Sequence, residues 1–93
     1  MAMYSVGDAI NEFLERSHWK PKILALRMSE EWEAITGKAI AKYTRSVKME
    51  GRVLHIYTDV AALKQELYYG KTELITRINE YFKEKVVDDI VIR

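Results

Sequence analysis

The stretch from Arg45 to Thr58 constrains the fold more than any other part of this sequence. Arg45–Met49 and Arg52–Thr58 alternate apolar with polar residues and are separated by Glu50-Gly51. A two-residue loop ending in glycine suits the primed turns whose twist matches that of paired strands. Such a loop pairs Met49 with Arg52, Val47 with Leu54 and Arg45 with Ile56. Strand side chains alternate between faces, so Val47, Met49, Leu54 and Ile56 share one face. Ser46, Lys48, Val53, His55 and Tyr57 share the other. The spacing predicts an antiparallel hairpin with one face on a core and one in water.

The flanking periodicity supplies what the hairpin packs against. Ser5 suits an N-cap, and Val6, Ala9, Ile10, Phe13 and Leu14 recur at helical spacing, predicting a helix from about Ser5 to Arg16. A second helix starts with Pro21 at its first position, with Trp19 and Leu24 spaced as a hydrophobic staple. It buries Leu24, Met28, Trp32 and Ile35 and ends at Gly37, a C-terminal glycine that tolerates positive φ. Ala39 to Tyr43 fits either a further helical turn or irregular chain. Asp59 caps a third, long helix running to about Glu84, with a seam of Leu63, Leu67, Leu74 and Ile78. Gly70 in its middle costs roughly 1 kcal/mol against alanine and implies a bend or a close backbone approach. Val86 to Arg93 reads as a last strand, beside either the first or the second. The order helix, helix, strand, strand, long helix, strand predicts a two-layer α+β domain spanning residues 1–93.

Composition narrows the function. There are 93 residues and no cysteine, so disulfides and thiolate metal sites are excluded, which fits a reducing cytoplasm. The N-terminus lacks a basic and then apolar leader, and no stretch approaches a membrane span. His18 and His55 are far apart and lie in no metal-ligand spacing. The glycines stand alone at 7, 37, 51 and 70, so no phosphate-cradling loop is present. Glu30, Glu31 and Glu33 read as a solvated helix face rather than an acid–base pair. No catalytic residue, metal or cofactor is expected, and the chain reads as a binding protein.

Net charge is +1, so any anion binding must come from local clustering. Arg16, Lys20, Lys22 and Arg27 occur without an intervening acid, and Lys38, Lys42, Arg45, Lys48 and Arg52 face Glu50 alone. The third helix is balanced. Cations interleaved with aromatics suit single-stranded nucleic acid, because cations neutralise phosphates and flat rings stack on bases. Ordinary solvated charge explains the same pattern about equally well. Lys20, Lys22, Lys42, Arg45, Lys48 and Arg52 are the candidate phosphate contacts. His55 and Tyr57, on the outward strand face, and Tyr68, off the helix seam, are candidates for stacking or protein contact.

Several segments are similar to the DciA family, bacterial proteins that act on the replicative DNA helicase. These are Ile10-Asn11-Glu12-Phe13-Leu14, Trp32-Glu33-Ala34-Ile35-Thr36-Gly37, Val47-Lys48-Met49-Glu50-Gly51-Arg52, Lys64-Gln65-Glu66-Leu67 and Ile90-Val91-Ile92-Arg93. The Trp–Gly spacing and the Gln-Glu-Leu start of the third helix are the more specific pieces. The resemblance implies a KH-like fold and a non-enzymatic role in loading the helicase, with the helicase and DNA as partners. The GXXG loop by which KH domains clamp nucleic acid is missing. Two positions depart from the family: Leu63, where it usually has Trp, and Ser46, where it often has Pro. A general single-stranded nucleic-acid module and a pure protein–protein adaptor are the alternatives.

Overall fold

The computed structural model describes residues 19–93. The expected helix from Ser5 to Arg16 lies outside the described residues, as does His18, and the staple contact of Trp19 with Leu24 lies outside what is described. Numbering the described elements in chain order, α1 is Trp19–Glu30, α2 Trp32–Thr36, α3 Lys38–Tyr43, β1 Ser46–Glu50, β2 Val53–Tyr57, α4 Ala61–Tyr69, α5 Lys71–Phe82 and β3 Asp89–Ile92. The strands form one sheet in the order β1-β2-β3, with β1 and β2 antiparallel and β2 and β3 parallel. The last strand therefore lies beside the second, and α4–α5 form the crossover that a parallel pair requires. This is an α+β fold, with helices laid on one face of a small sheet.

The hairpin forms, with a register two residues from the expected one. Met49 pairs with Leu54 and Val47 with Ile56, so the loop is Gly51-Arg52 and not Glu50-Gly51. The reason lies in the turn. Gly51 has φ +60°, whereas Arg52 is not among the positive-φ residues, the pattern of a type II′ turn with glycine first. Glu50 is thereby free to pair with Val53 as a strand residue. A slip of two preserves the alternation, so the predicted faces survive.

Leu54, Ile56 and Ile90 bring the sheet's inner face to a core completed by Met28, Trp32, Ile35, Leu63, Leu67, Leu74, Ile78, Val86 and Val87. Burying each such side chain fully contributes roughly 1.5–3 kcal/mol. Trp32 is core, as its seam position predicts, and its indole N–H donates to Thr44 Oγ1 at 3.0 Å. That bond is what lets a buried indole keep its donor satisfied.

Both long helices are interrupted where one was expected. The second breaks at Glu31, leaving the short α2 to end at Gly37 with φ +95°. The Ala39–Tyr43 stretch is helical and belongs to α3. The third breaks at Gly70, which is therefore a bend. Asp59 does not cap it. Val60 holds the N-cap position without a side-chain bond, and its N–H donates to Thr58 Oγ1 at 3.2 Å. Asp59 instead pairs with Arg45.

Asn79 near the end of α5 anchors the chain that leads to β3. Its Oδ1 accepts from the backbone N–H groups of Val86 and Val87 at 2.9 and 3.0 Å, and its Nδ2 donates to Val87 O at 3.1 Å. One amide thus satisfies three backbone groups of a loop that has no ladder of its own.

Candidate nucleic-acid and partner interface

The candidate site residues lie at the two ends of the hairpin and on the sheet face turned away from the core. On that face Ser46, Lys48 and Glu50 of β1 are exposed, Tyr57 is half-buried, and Val91 and Arg93 follow from the alternation of β3. His55 also lies there, but not as an exposed contact residue. It is 6% exposed, because β2 is the central strand and neighbours close over it from both sides. Arg93 Nε donates to His55 Nδ1 at 3.1 Å, and His55 Nε2 lies 3.2 Å from Glu50 Oε2. Since Nδ1 accepts, the ring proton sits on Nε2 and faces Glu50. With both edges held, the ring is a strut of the sheet face.

The six candidate cations fall into two groups. Arg52 and Lys20 lie at the hairpin tip and border one cavity. Arg52 makes a two-pronged bond to Asp88 at 2.6 and 3.2 Å, and its second prong also reaches Lys85 O at 2.5 Å. This pair holds the Asp88 carboxyl below its ordinary range and raises the guanidinium further. Lys20 pairs with Glu84 at 2.8 Å. Lys42, Arg45 and Lys48 lie at or towards the hairpin base. Arg45 is 3.2 Å from Asp59 with side chains 71% and 79% exposed, and Lys48 is 3.7 Å from Glu50. Lys42 lies over the ring of the exposed Tyr43, 5.5 Å from its centre. Lys22 is exposed on α1, apart from both groups.

Tyr68 sits at the α4–α5 bend, 65% exposed. Its neighbour Tyr69, which also follows Leu67 off the seam, is 77% exposed and packs edge-on against it at 5.8 Å. Aromatic rings are a residue type enriched at protein interfaces, and two of them stand exposed side by side at this helix end. Lys71 reaches over Tyr68 at 6.0 Å and pairs with Asp89 at 3.2 Å, tying the bend to the start of β3. The sequence reading missed Arg93 and Lys85. The alternation Ile90-in, Val91-out, Ile92-in points Arg93 to the open face once β3 is placed beside β2.

Among the described residues no group of three His, Cys, Asp or Glu is arranged to hold a metal, and no helix is long and apolar enough to cross a membrane. The model of one protein family, described as "Dna[CI] antecedent, DciA", matches residues 5–92. The chain belongs to the DciA family. No curated protein and no solved structure matches it. Membership in the DciA family implies a helicase-loading-related role in DNA replication, in a family of accessory proteins and not of known enzymes.

The two departures from the DciA pattern have distinct settings. Leu63 is buried in the core, where one large apolar residue replaces another. Ser46 is the first residue of the edge strand β1, a position where the family's proline is tolerated as well.

Proposed function

We propose that this chain binds the replicative DNA helicase and DNA and assists helicase loading without hydrolysing nucleotide. The family match over residues 5–92 carries the reading. The hairpin base supplies its DNA contacts: Lys42, Arg45 and Lys48, joined by Arg93 on the open sheet face, meet phosphates, while Lys22 on α1 stands apart from them. The half-buried Tyr57 offers a ring to a base beside them. Lys20 and Arg52 are held by Glu84 and Asp88 and act on DNA through charge alone. Tyr68 and Tyr69 meet the helicase. No phosphate-cradling glycine loop is present, so the energy of loading comes from binding and from the helicase's own nucleotide hydrolysis.

Calorimetric titration of the chain into the replicative helicase of its own organism, with and without single-stranded DNA, tests this. The expected result is saturable binding to the helicase and a DNA affinity that falls with salt. Three to four phosphate contacts correspond to a log–log slope of about −2 to −3 on a single strand. DNA affinity that stays flat as salt rises overturns the phosphate contacts. Absence of helicase binding in both conditions overturns the loading role.

A further inference from the structure

We infer that His55 is a positioning residue that holds Arg93 for end-on capture of one phosphate group on the open sheet face. The inference rests on the DNA reading above and deepens it at a single contact. His55 stands at the centre of that face, opposite Lys48 on β1 and Val91 on β3. It is buried and engaged at both ring nitrogens: Nε2 lies 3.2 Å from Glu50 Oε2, and Nδ1 accepts from Arg93 Nε at 3.1 Å. Glu50 fixes the tautomer, since a carboxylate draws the ring proton to Nε2 and leaves Nδ1 as the acceptor. A buried ring bonded on both edges is held against rotation, so the sheet sets the direction of the Nδ1 lone pair.

That lone pair treats Arg93 differently from the other bonded arginines. Arg27, Arg45 and Arg52 are each oriented by a carboxylate, from Glu31, Asp59 and Asp88, which offsets their charge. Arg93 is oriented by an uncharged acceptor, and among the described residues no carboxylate pairs with its guanidinium. It is exposed and keeps its full positive charge. A guanidinium offers five N–H donors in a rigid fork. Arg52 commits the edge formed by Nε and Nη2 to Asp88. Arg93 commits only Nε to His55, which leaves the Nη1 and Nη2 end of the fork open. That end matches two oxygens of one phosphate. Arg93 follows the Ile56–Ile92 pair and so stands level with Tyr57. A phosphate held there brings the adjoining base to that half-buried ring.

The test measures the affinity of the full chain for a labelled oligothymidylate by anisotropy at several salt concentrations. Denaturant unfolding and the NMR signal of the Arg93 Nε–H accompany it. His55→Phe keeps a ring and a good strand former but removes the acceptor. It should lose about threefold or more in affinity and about 0.7 in the salt slope, the equivalent of one phosphate on a single strand. His55→Asn keeps an acceptor, because its Oδ1 stands close to where Nδ1 stood, but suits a strand less well. It should unfold more easily and yet bind close to the parent. A merely structural role makes affinity follow stability, with His55→Asn the weaker binder of the two. The double variant His55→Phe/Arg93→Ala should bind no worse than Arg93→Ala, because the ring acts only through Arg93. Unchanged affinity in His55→Phe, an equal or larger loss in His55→Asn, or additive losses in the double variant overturn the inference and leave the DNA reading standing. A parent chain that binds no DNA even at low salt overturns the DNA reading instead. Inorganic phosphate then decides the subsite: a shift of the Arg93 Nε–H larger than that of Arg52 keeps it, and no such shift overturns it.

Discussion

The two ends of the hairpin carry the same kind of residue and use it in different ways. At the tip, Arg52 and Lys20 bond to Asp88 and Glu84 and fasten the turn and α1 to the chain leaving α5. At the base, Arg45 and its partner Asp59 both stand mostly in water, and Lys42 rests on an exposed ring. The difference is one of geometry. A two-pronged guanidinium–carboxylate pair restricts both side chains, while a single long contact in water is screened and contributes about 0–1 kcal/mol. The tip is therefore where the fold is held, and the base is where cations remain available to a ligand.

The strongest way to break this contrast is to loosen the tip without touching a charge. Asn79→Ala leaves two N–H groups and one carbonyl of Val86 and Val87 without their partner. The expected cost is about 2–4 kcal/mol, since each unsatisfied, partly buried group loses on the order of 1 kcal/mol or more. Denaturant unfolding followed by circular dichroism measures it. A loss below about 0.5 kcal/mol would mean that water replaces the amide, and that the connection to β3 is not anchored by this residue.

Acid sharpens the contrast next. Asp88 is held below its ordinary range by Arg52, Asp89 by the Ile90 N–H and then Lys71, and Glu31 by Arg27 and then the Tyr81 hydroxyl. A carboxyl whose folded pKa is depressed stabilises the fold above its unfolded pKa, and loses that contribution as pH falls through the folded value. Stability should therefore be level from neutrality to about pH 5 and decline below it. Asp88→Asn should lower the neutral plateau and flatten the acid limb, whereas Asp59→Asn at the base removes one exposed, screened contact and should leave the neutral plateau nearly unchanged. Thermal melts across the pH series decide it, and equal behaviour of the two variants would erase the distinction between tip and base.

How much of this was legible in the sequence depends on the range of each signal. Face alternation along β1 and β2 is local, so the inward set Val47, Met49, Leu54 and Ile56 was readable even though the register was two residues off. The register itself turned on whether Gly51 takes the first or second loop position, which the pair Glu50-Gly51 does not reveal. The break at Gly70 was legible as a bend, the break at Glu31 was not. His55 was misplaced because its burial depends on β3 arriving 38 residues later with Arg93. The structural role of Arg52 depends on Asp88, 36 residues away. Spacing finds cations and aromatics, but the partner that commits a cation to the fold lies at tertiary distance. Of the candidate site, therefore, the residue types were readable and their availability was not.

The smallest effect separates the two ends at single residues. Arg45→Ala removes one exposed, screened contact, so its stability change should stay within about 0.5 kcal/mol. Its effect belongs in the salt dependence of DNA binding, where one fewer phosphate contact reduces the slope by about 0.7 on a single strand. Arg52→Ala should do the reverse. It lowers the melting temperature measurably, because Asp88 and Lys85 O lose their shared donor, and it leaves the salt slope close to that of the parent chain. Melting curves and anisotropy titrations at several salt concentrations on the two variants give the four numbers needed. If Arg52→Ala lowers the slope as much as Arg45→Ala, the Asp88 pair opens to DNA, and the hairpin tip joins the phosphate-binding surface.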